Sequence, residues 1–300
     1  MFFIISGFVI WLTTCNKKIN MREFILKRII RVVPLYWFIT LMIVIAGTLI
    51  PELFSKTRFE PVQTIQSLLF IPHYSLGFPG KIWPILVPGW TLNYEIFFYL
   101  IFGLLLFIPI NRSLVLFLFF STLVFIGVIT ESENALFKTY TNNLLLEFVA
   151  GVYIAKAFLD GRLNNRPLSL AISICVFGIF LLLTTVNIDS QNSVRAIYWG
   201  VPAALIVIGA IMIEGSGTLP RSRILHLLGD ASYSIYLAHT YTLTVLRIMW
   251  SKLVSIEATT IEIILFACLG LIVSSISGIL LHLLIEKPLT NYLRRIFSTR

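Results

Sequence analysis

The stretch Pro88-Gly89-Trp90-Thr91-Leu92-Asn93-Tyr94-Glu95-Ile96-Phe97-Phe98-Tyr99 sets the terms on which the rest of the chain is read. It opens an apolar run that continues to Ile108, about the 20 residues with which a helix crosses a bilayer. Pro88 keeps the helix from starting earlier, and Trp90 and Tyr94 are aromatics of the kind that suit a membrane interface. Glu95 lies five residues past Trp90. At about 1.5 Å per residue its carboxylate begins roughly 7 to 8 Å below the interface. Thr91, Glu95 and Tyr99 share one helix face by their i, i+4 spacing. An acid at that depth costs several kcal/mol unless it is paired, protonated or facing water. Glu95 is therefore a candidate catalytic residue; the plainer alternative is an acid that joins two helices by hydrogen bonds.

Hydrophobic residues make up 58% of the 300 residues and charged residues 12%, with a mean hydropathy of +0.92. That balance excludes a soluble domain and predicts an all-α, polytopic transmembrane bundle forming a single domain over 1–300. Apolar runs fall near 1–14, 34–50, 89–109, 114–130, 144–159, 168–187, 196–213, 229–250 and 260–285, nine segments in all. Alternating sides puts 15–33, 110–113, 156–167, 214–228 and 286–300 on one face, with 16 of the 23 Lys and Arg residues. By the positive-inside rule this face, and the C-terminus with it, is cytoplasmic. The net charge of +9 is thus topological, and no nucleic-acid partner is implied. Cys15, Cys175 and Cys268 have no CxxC spacing and offer neither a disulfide framework nor a metal site.

The first run, 1–14, is short for a span, starts on the outer side in this scheme and has no basic flank or cleavage site. A preceding helix, running from cytoplasm to outside and absent from these 300 residues, would repair the topology. The connection from Pro51 to Pro88 faces outward and carries six of the 12 prolines, which work against ordinary helix and strand there. His73, Tyr74 and Trp83 within it would suit a lid or an acceptor platform, or a plain connector. Gly151 with Ala155, and Ser274 with Gly278, are small-xxx-small steps that favour close helix packing. Glu147 is a second intramembrane acid, open to a structural or a functional reading.

Three further groups carry chemistry. Arg28 and Arg31 are three apart, so on a helix they point the same way and can fork onto phosphate oxygens; arginines at a cytoplasmic helix end also serve as anchors. Tyr236 and His239 lie in the eighth run, His239 about 15 Å deep, where an imidazole is either a packing residue or a base. His282 and Glu286, four apart and followed by Lys287-Pro288, are expected to cap and anchor the last helix.

Five motifs together resemble the integral-membrane acyltransferase family 3. They are Phe2-Phe-Ile-Ile-Ser-Gly-Phe8, Arg28-Ile-Ile-Arg-Val-Val-Pro-Leu-Tyr36, Gly89-Trp-Thr-Leu-Asn-Tyr-Glu95, Ser232-Tyr-Ser-Ile-Tyr-Leu-Ala-His239 and Glu286-Lys-Pro288. The Trp-Thr-Leu-Asn-Tyr-Glu form most resembles the branch that acetylates exopolysaccharides. The resemblance implies ten membrane helices and transfer of an acyl group, usually acetyl from cytoplasmic acetyl-CoA, to sugars. It makes Arg28 and Arg31 the expected acyl-CoA ligands, Glu95 and His239 the expected catalytic residues, and Trp90, Tyr94 and Tyr236 the expected substrate-binding residues. The expected partners are the lipid bilayer, an acyl-CoA donor and a carbohydrate acceptor, with no metal and no permanently bound cofactor. The expected location is the bacterial cytoplasmic (inner) membrane. Family members begin with a helix carrying an Arg and a His thought to be the catalytic base, whereas this chain begins at the following Phe-Phe-x-x-Ser-Gly motif. That departure agrees with the helix missing from the topology. It keeps a polysaccharide-export or transporter-like protein, or a non-catalytic remnant, as the alternative classes.

Overall fold

With no water in the hydrocarbon layer, a spanning segment must satisfy its backbone internally, and this chain does so with helices. The computed structural model describes residues 1–15, 19–50, 59–108, 111–185, 196–217, 222–252 and 259–297. Lys17, Lys18, Pro51, Arg221 and Arg300, which entered the topological reading, lie outside these described residues. In chain order the helices are α1 (Phe2–Thr14), α2 (Met21–Leu49), α3 (Pro61–Leu68), α4 (Trp90–Leu105), α5 (Arg112–Ile129), α6 (Ala135–Tyr140) and α7 (Leu145–Leu159). There follow α8 (Leu168–Thr184), α9 (Val201–Gly215), α10 (Arg223–Asp230), α11 (Ser232–Trp250), α12 (Thr260–Leu281) and α13 (Lys287–Phe297). A 3₁₀ turn, Val87–Gly89, leads into α4, and π-helical turns Ala196–Gly200 and His282–Glu286 precede α9 and α13. No strand occurs among the described residues.

Each of the nine apolar runs is mainly helical over its described residues. Met21–Leu49, Arg112–Ile129, Ala135–Leu159, Ala196–Gly215 and Thr260–Phe297 are long and apolar enough to cross a membrane. The others fall short for local reasons. α1, α4 and α8 have 13, 16 and 17 residues, and α11 is interrupted by Ser, Thr, Tyr and His side chains. Two boundaries differ from the apolar pattern. α2 begins thirteen residues before the run at 34–50, so Arg28 and Arg31 are helical, and Pro34 sits inside the helix. The proline-rich connection holds α3, because Pro61 occupies the first helical turn, where a missing N–H removes no hydrogen bond.

The chain divides into two compact units: Met1–Ile25 with Tyr94–Pro220, and Leu26–Asn93 with Arg221–Arg300. In the first, α1 lies against α7 at a distance only glycine permits. A Cβ on Gly151 would stand 2.0 Å from the Ile4 carbonyl oxygen, and one on Gly7 would stand 2.1 Å from that of Phe148. This is the close packing expected at the Gly151–Ala155 step. Phe98 and Phe148 stack with centroids 4.5 Å apart, and Phe120 and Phe102 extend the same aromatic core. In the second unit α11 and α12 make an equally close pair, with a Cβ on Gly278 falling 2.5 Å from Ile235 Cα. Leu41, Met42 and Ile45 on α2, and Leu271 and Ile272 on α12, remain exposed, an apolar outer surface suited to lipid.

Candidate functional site

In the first unit, α4 carries Glu95 into the interior, where 5% of its surface stays exposed. Glu95 Oε1 accepts a hydrogen bond from Ser6 Oγ of α1 at 2.8 Å and a second, very short one from Tyr99 OH one turn along α4. The buried acid is thus paired with two hydroxyls, and the predicted Glu95–Tyr99 face is realised. Ser6, the partner from another helix, was not singled out by spacing. Tyr94 is buried, its ring 5.6 Å from that of Phe3, in an aromatic cluster instead of at an interface. Glu147 of α7 is buried too, and Gly200 makes room for it, since a Cβ there would lie 3.3 Å from Glu147 Cγ.

In the second unit the turn before α4 is built around two tyrosines. A Cβ on Gly89 would lie 2.5 Å from the Tyr36 ring, so glycine is what lets this fully buried tyrosine pass. Tyr36 OH donates to the Ser67 carbonyl at 3.0 Å, and its ring tilts against Phe70. Tyr236 OH of α11 donates to the Pro88 carbonyl at 2.9 Å and lies 2.8 Å from Thr91 Oγ1. Pro88-Gly89-Trp90-Thr91 is therefore gripped from two helices, with Trp90 half-buried at the start of α4. One turn on from Tyr236, His239 Nδ1 meets the Tyr236 carbonyl. An acceptor there requires the proton on Nδ1, which leaves Nε2 a lone pair and, among the described residues, no partner.

At another level of this unit, α2 presents Arg28, half-buried, and Arg31, exposed, one turn apart. Tyr233 OH of α11 donates to the carbonyl of Val32, next to Arg31, at 2.7 Å. The adjacent Ser234 donates to Glu286 Oε2 at 2.6 Å, and His282 Nδ1 meets the same oxygen at 2.8 Å. The expectation that His282 and Glu286 cap the last helix is corrected here. The helix continues through the π-turn to Phe297, and the pair is buried inside it. The cause is Pro288, which has no N–H to give the Leu284 carbonyl; the ladder widens, and Lys287 N–H reaches back to the His282 carbonyl. In the loop, His73 is buried with Nδ1 2.8 Å from the Ile71 carbonyl, and the Trp83 ring packs against Phe78 at 5.3 Å.

Among the described residues, no cluster of three or more His, Cys, Asp or Glu side chains could hold a metal ion. The polar groups described, a hydroxyl-bonded acid, three backbone- or carboxylate-tethered imidazoles and an arginine pair, are those of proton transfer and anion binding. Comparison with known proteins narrows the chemistry. The model of the acyltransferase domain matches residues 1–282. The chain is 38% identical over 245 residues to the exopolysaccharide production protein ExoZ of Rhizobium meliloti (strain 1021), covering 81% of this chain and 75% of that one. No solved structure matches. A match over nearly the whole bundle, in a chain whose helices are long and apolar enough for a bilayer, makes this a membrane protein of acyltransferase family 3.

Proposed function

We propose that the protein transfers an acyl group, acetyl from cytoplasmic acetyl-CoA, to a hydroxyl of an exported or cell-surface polysaccharide. The observation that carries this reading is the extended identity to a protein named for exopolysaccharide production, which runs through the family's acyltransferase domain. Arg28 and Arg31, one turn apart on α2, would hold donor phosphates, since guanidiniums fork onto phosphate oxygens. His239 would act as base. Its Nδ1–H is committed to the Tyr236 carbonyl, which fixes the ring and leaves Nε2 to take a sugar hydroxyl proton as the oxygen attacks the thioester carbonyl. Trp90 and Tyr236, in the same unit as His239, would shape the acceptor's surroundings. Glu95 would pass a proton through its hydroxyl partners Ser6 and Tyr99 within the first unit. In this reading the protein lies in a bacterial cytoplasmic membrane with its C-terminus inside.

The test supplies radiolabelled acetyl-CoA to the protein in lipid nanodiscs, with polysaccharide from the source cells as acceptor. Alkali-labile label on the polysaccharide is the expected product. His239→Gln should lower its rate by about 10²- to 10⁴-fold, the usual contribution of a general base. Absence of label with the unmodified protein would end the acetyl-transfer reading, and an undiminished His239→Gln rate would remove His239 from it.

A further inference from the structure

The last helix is amphipathic, and the mechanism above makes no use of it. In α13, Leu289, Tyr292, Leu293, Ile296 and Phe297 follow the i, i+3, i+4, i+7, i+8 spacing of one helix face. Lys287, Asn291, Arg294 and Arg295 recur with the spacing of the opposite side, and the helix carries no acid. None of its residues is buried: Tyr292 keeps 63% of its surface exposed, Ile296 49% and Phe297 51%. Among the described residues no ion pair engages Lys287, Arg294 or Arg295.

Its place in the chain says what such a face meets. α12 has 22 residues, about 33 Å of helix, which already spans the roughly 30 Å hydrocarbon core. α13 therefore begins at the headgroup layer, next to a π-turn and Pro288, the two features at which helices bend. A helix leaving the bilayer straight would hold Tyr292, Ile296 and Phe297 in water. Lying along the headgroups, it would bury them and leave its cations among the phosphates. α10 repeats the pattern at the same end. It precedes α11, and Ser234 at the start of α11 bonds Glu286 at the start of α13, so the two short helices flank one end of the α11–α12 pair. α10 likewise has no buried residue, exposes Ile224 and Leu225, and carries Arg223.

We propose that α13, with α10 beside it, is an interfacial binding site for anionic phospholipid, its apolar face sunk into the acyl–headgroup boundary and Lys287, Arg294 and Arg295 on the lipid phosphates. Charge decides the occupant. Across the two helices the cations Arg223, Lys287, Arg294 and Arg295 stand against a single acid, Asp230, a surface complementary to negative headgroups. A second copy of the chain would bring like charges together on this face, and a zwitterionic headgroup would set its own amine against them. The site asks for a negative headgroup, such as that of phosphatidylglycerol, and the inference stands apart from the acyl-transfer reading.

The experiment uses the full chain in nanodiscs. Tyr292→Trp adds an indole to the apolar face, and the signal of the six native tryptophans is subtracted with the unmodified protein. With lipids brominated near the top of their acyl chains, the added indole should emit at short wavelength and be quenched. Association of spin-labelled phosphatidylglycerol, relative to spin-labelled phosphatidylcholine, gives the headgroup preference. Arg294→Gln/Arg295→Gln should lower that preference by at least about fivefold, the contribution of one basic residue at an anionic surface. Arg294→Lys/Arg295→Lys should retain it, since a headgroup layer reads charge and not the guanidinium fork. Salt at about 1 M should erase the difference between the unmodified and glutamine proteins, because the screening length falls to about 3 Å. An unquenched indole with water-like emission places α13 in the aqueous phase and overturns the proposal. Quenching confined to discs that hold two copies assigns the face to a second chain and overturns it as well. A quenched indole with equal phosphatidylglycerol preference in the arginine and glutamine proteins overturns the anionic site. If the glutamine pair does not fold, the unmodified protein decides, a preference that survives 1 M salt counting against the proposal.

Discussion

Replacing Glu95 by leucine tests whether the buried acid is held by the two hydroxyls seen around it. The side chain accepts from Ser6 Oγ and Tyr99 OH through one oxygen and is almost wholly buried. Leucine is similar in bulk and suits the surrounding aromatics, so packing changes little. What changes is that two buried hydroxyls lose their acceptor. Hydrogen bonds between side chains inside membrane proteins contribute about 0.6 kcal/mol on average and about 1.7 kcal/mol at most. Two of them predict a loss of about 1 to 3 kcal/mol, read as a fall of roughly 3 to 10 °C in the melting temperature of the reconstituted protein. The decisive comparison is the same substitution in a Ser6→Ala/Tyr99→Phe background. There neither hydroxyl is orphaned, and replacing a buried donor together with its acceptor by apolar groups is nearly neutral. Melting of the four proteins, followed by intrinsic fluorescence, should show Glu95→Leu costly in the first background and close to neutral in the second. An equal loss in both would refute the hydrogen-bond account and leave Glu95 stabilised by something other than Ser6 and Tyr99.

Arg28→Lys should weaken coenzyme A binding by about tenfold in calorimetry while leaving the protein folded, because an ammonium cannot make the two-pronged contact; unchanged affinity would return Arg28 to an anchoring role. Gly278→Ala should lower the melting temperature by an amount corresponding to about 1 to 3 kcal/mol, since the added Cβ meets Ile235 backbone, whereas Gly215→Ala, with open space around it, should be neutral. Gly89→Ala should cause a similar loss that Tyr36→Leu partly restores, because the clash is with the Tyr36 ring; no restoration would mean that the glycine is needed for another reason. Reporter fusions after Phe59 and after Arg300 should report outside and cytoplasm respectively, and a cytoplasmic signal after Phe59 would reverse the orientation drawn from the charge asymmetry.

Helix positions were legible because hydrophobicity is local. The nine runs were visible as composition, and the small residues that let helices approach, Gly151 and Gly278, were visible as i, i+4 steps. The Glu95–Tyr99 pair was likewise within reach, being one turn of one helix. What escaped were partners that only the packing of distant segments supplies. Ser6 lies 89 residues from Glu95, Ser234 lies 52 from Glu286, and Tyr233 lies 201 from Val32, and no periodicity relates such positions. The start of α2 was missed for a different reason. Met21–Val33 carries five charges, so it reads as a cytoplasmic connection although its backbone continues the helix of the apolar run. Tyr94 was misjudged because an aromatic at a helix start fits an interface and a buried cluster equally well, and only Phe3, from another helix, decides between them.

The corrected reading of His282 and Glu286 shows how one residue can turn a surface anchor into a buried pair. In an unbroken α-helix, residues four apart stack on one face, and a His–Glu pair at a cytoplasmic end needs no more than that spacing to act as a surface pair. Pro288 removes the N–H that the Leu284 carbonyl requires, and the backbone answers by widening the preceding turn. A π-turn adds a residue to the loop of hydrogen bonding and so rotates everything beyond it relative to the α12 face that meets α11. Gly278 holds that face in register, since its contact with Ile235 leaves α11 and α12 almost no freedom to slide. With the register pinned at Gly278–Ile235, Ser234 is one residue from the contact and reaches a carboxylate two turns beyond Gly278. Gly278, Pro288, Tyr233 and Ser234 are each unremarkable in sequence. Only their joint effect brings Ser234, His282 and Glu286 together, and it is this joint effect that Gly278→Ala should disturb before any side chain of the dyad is changed.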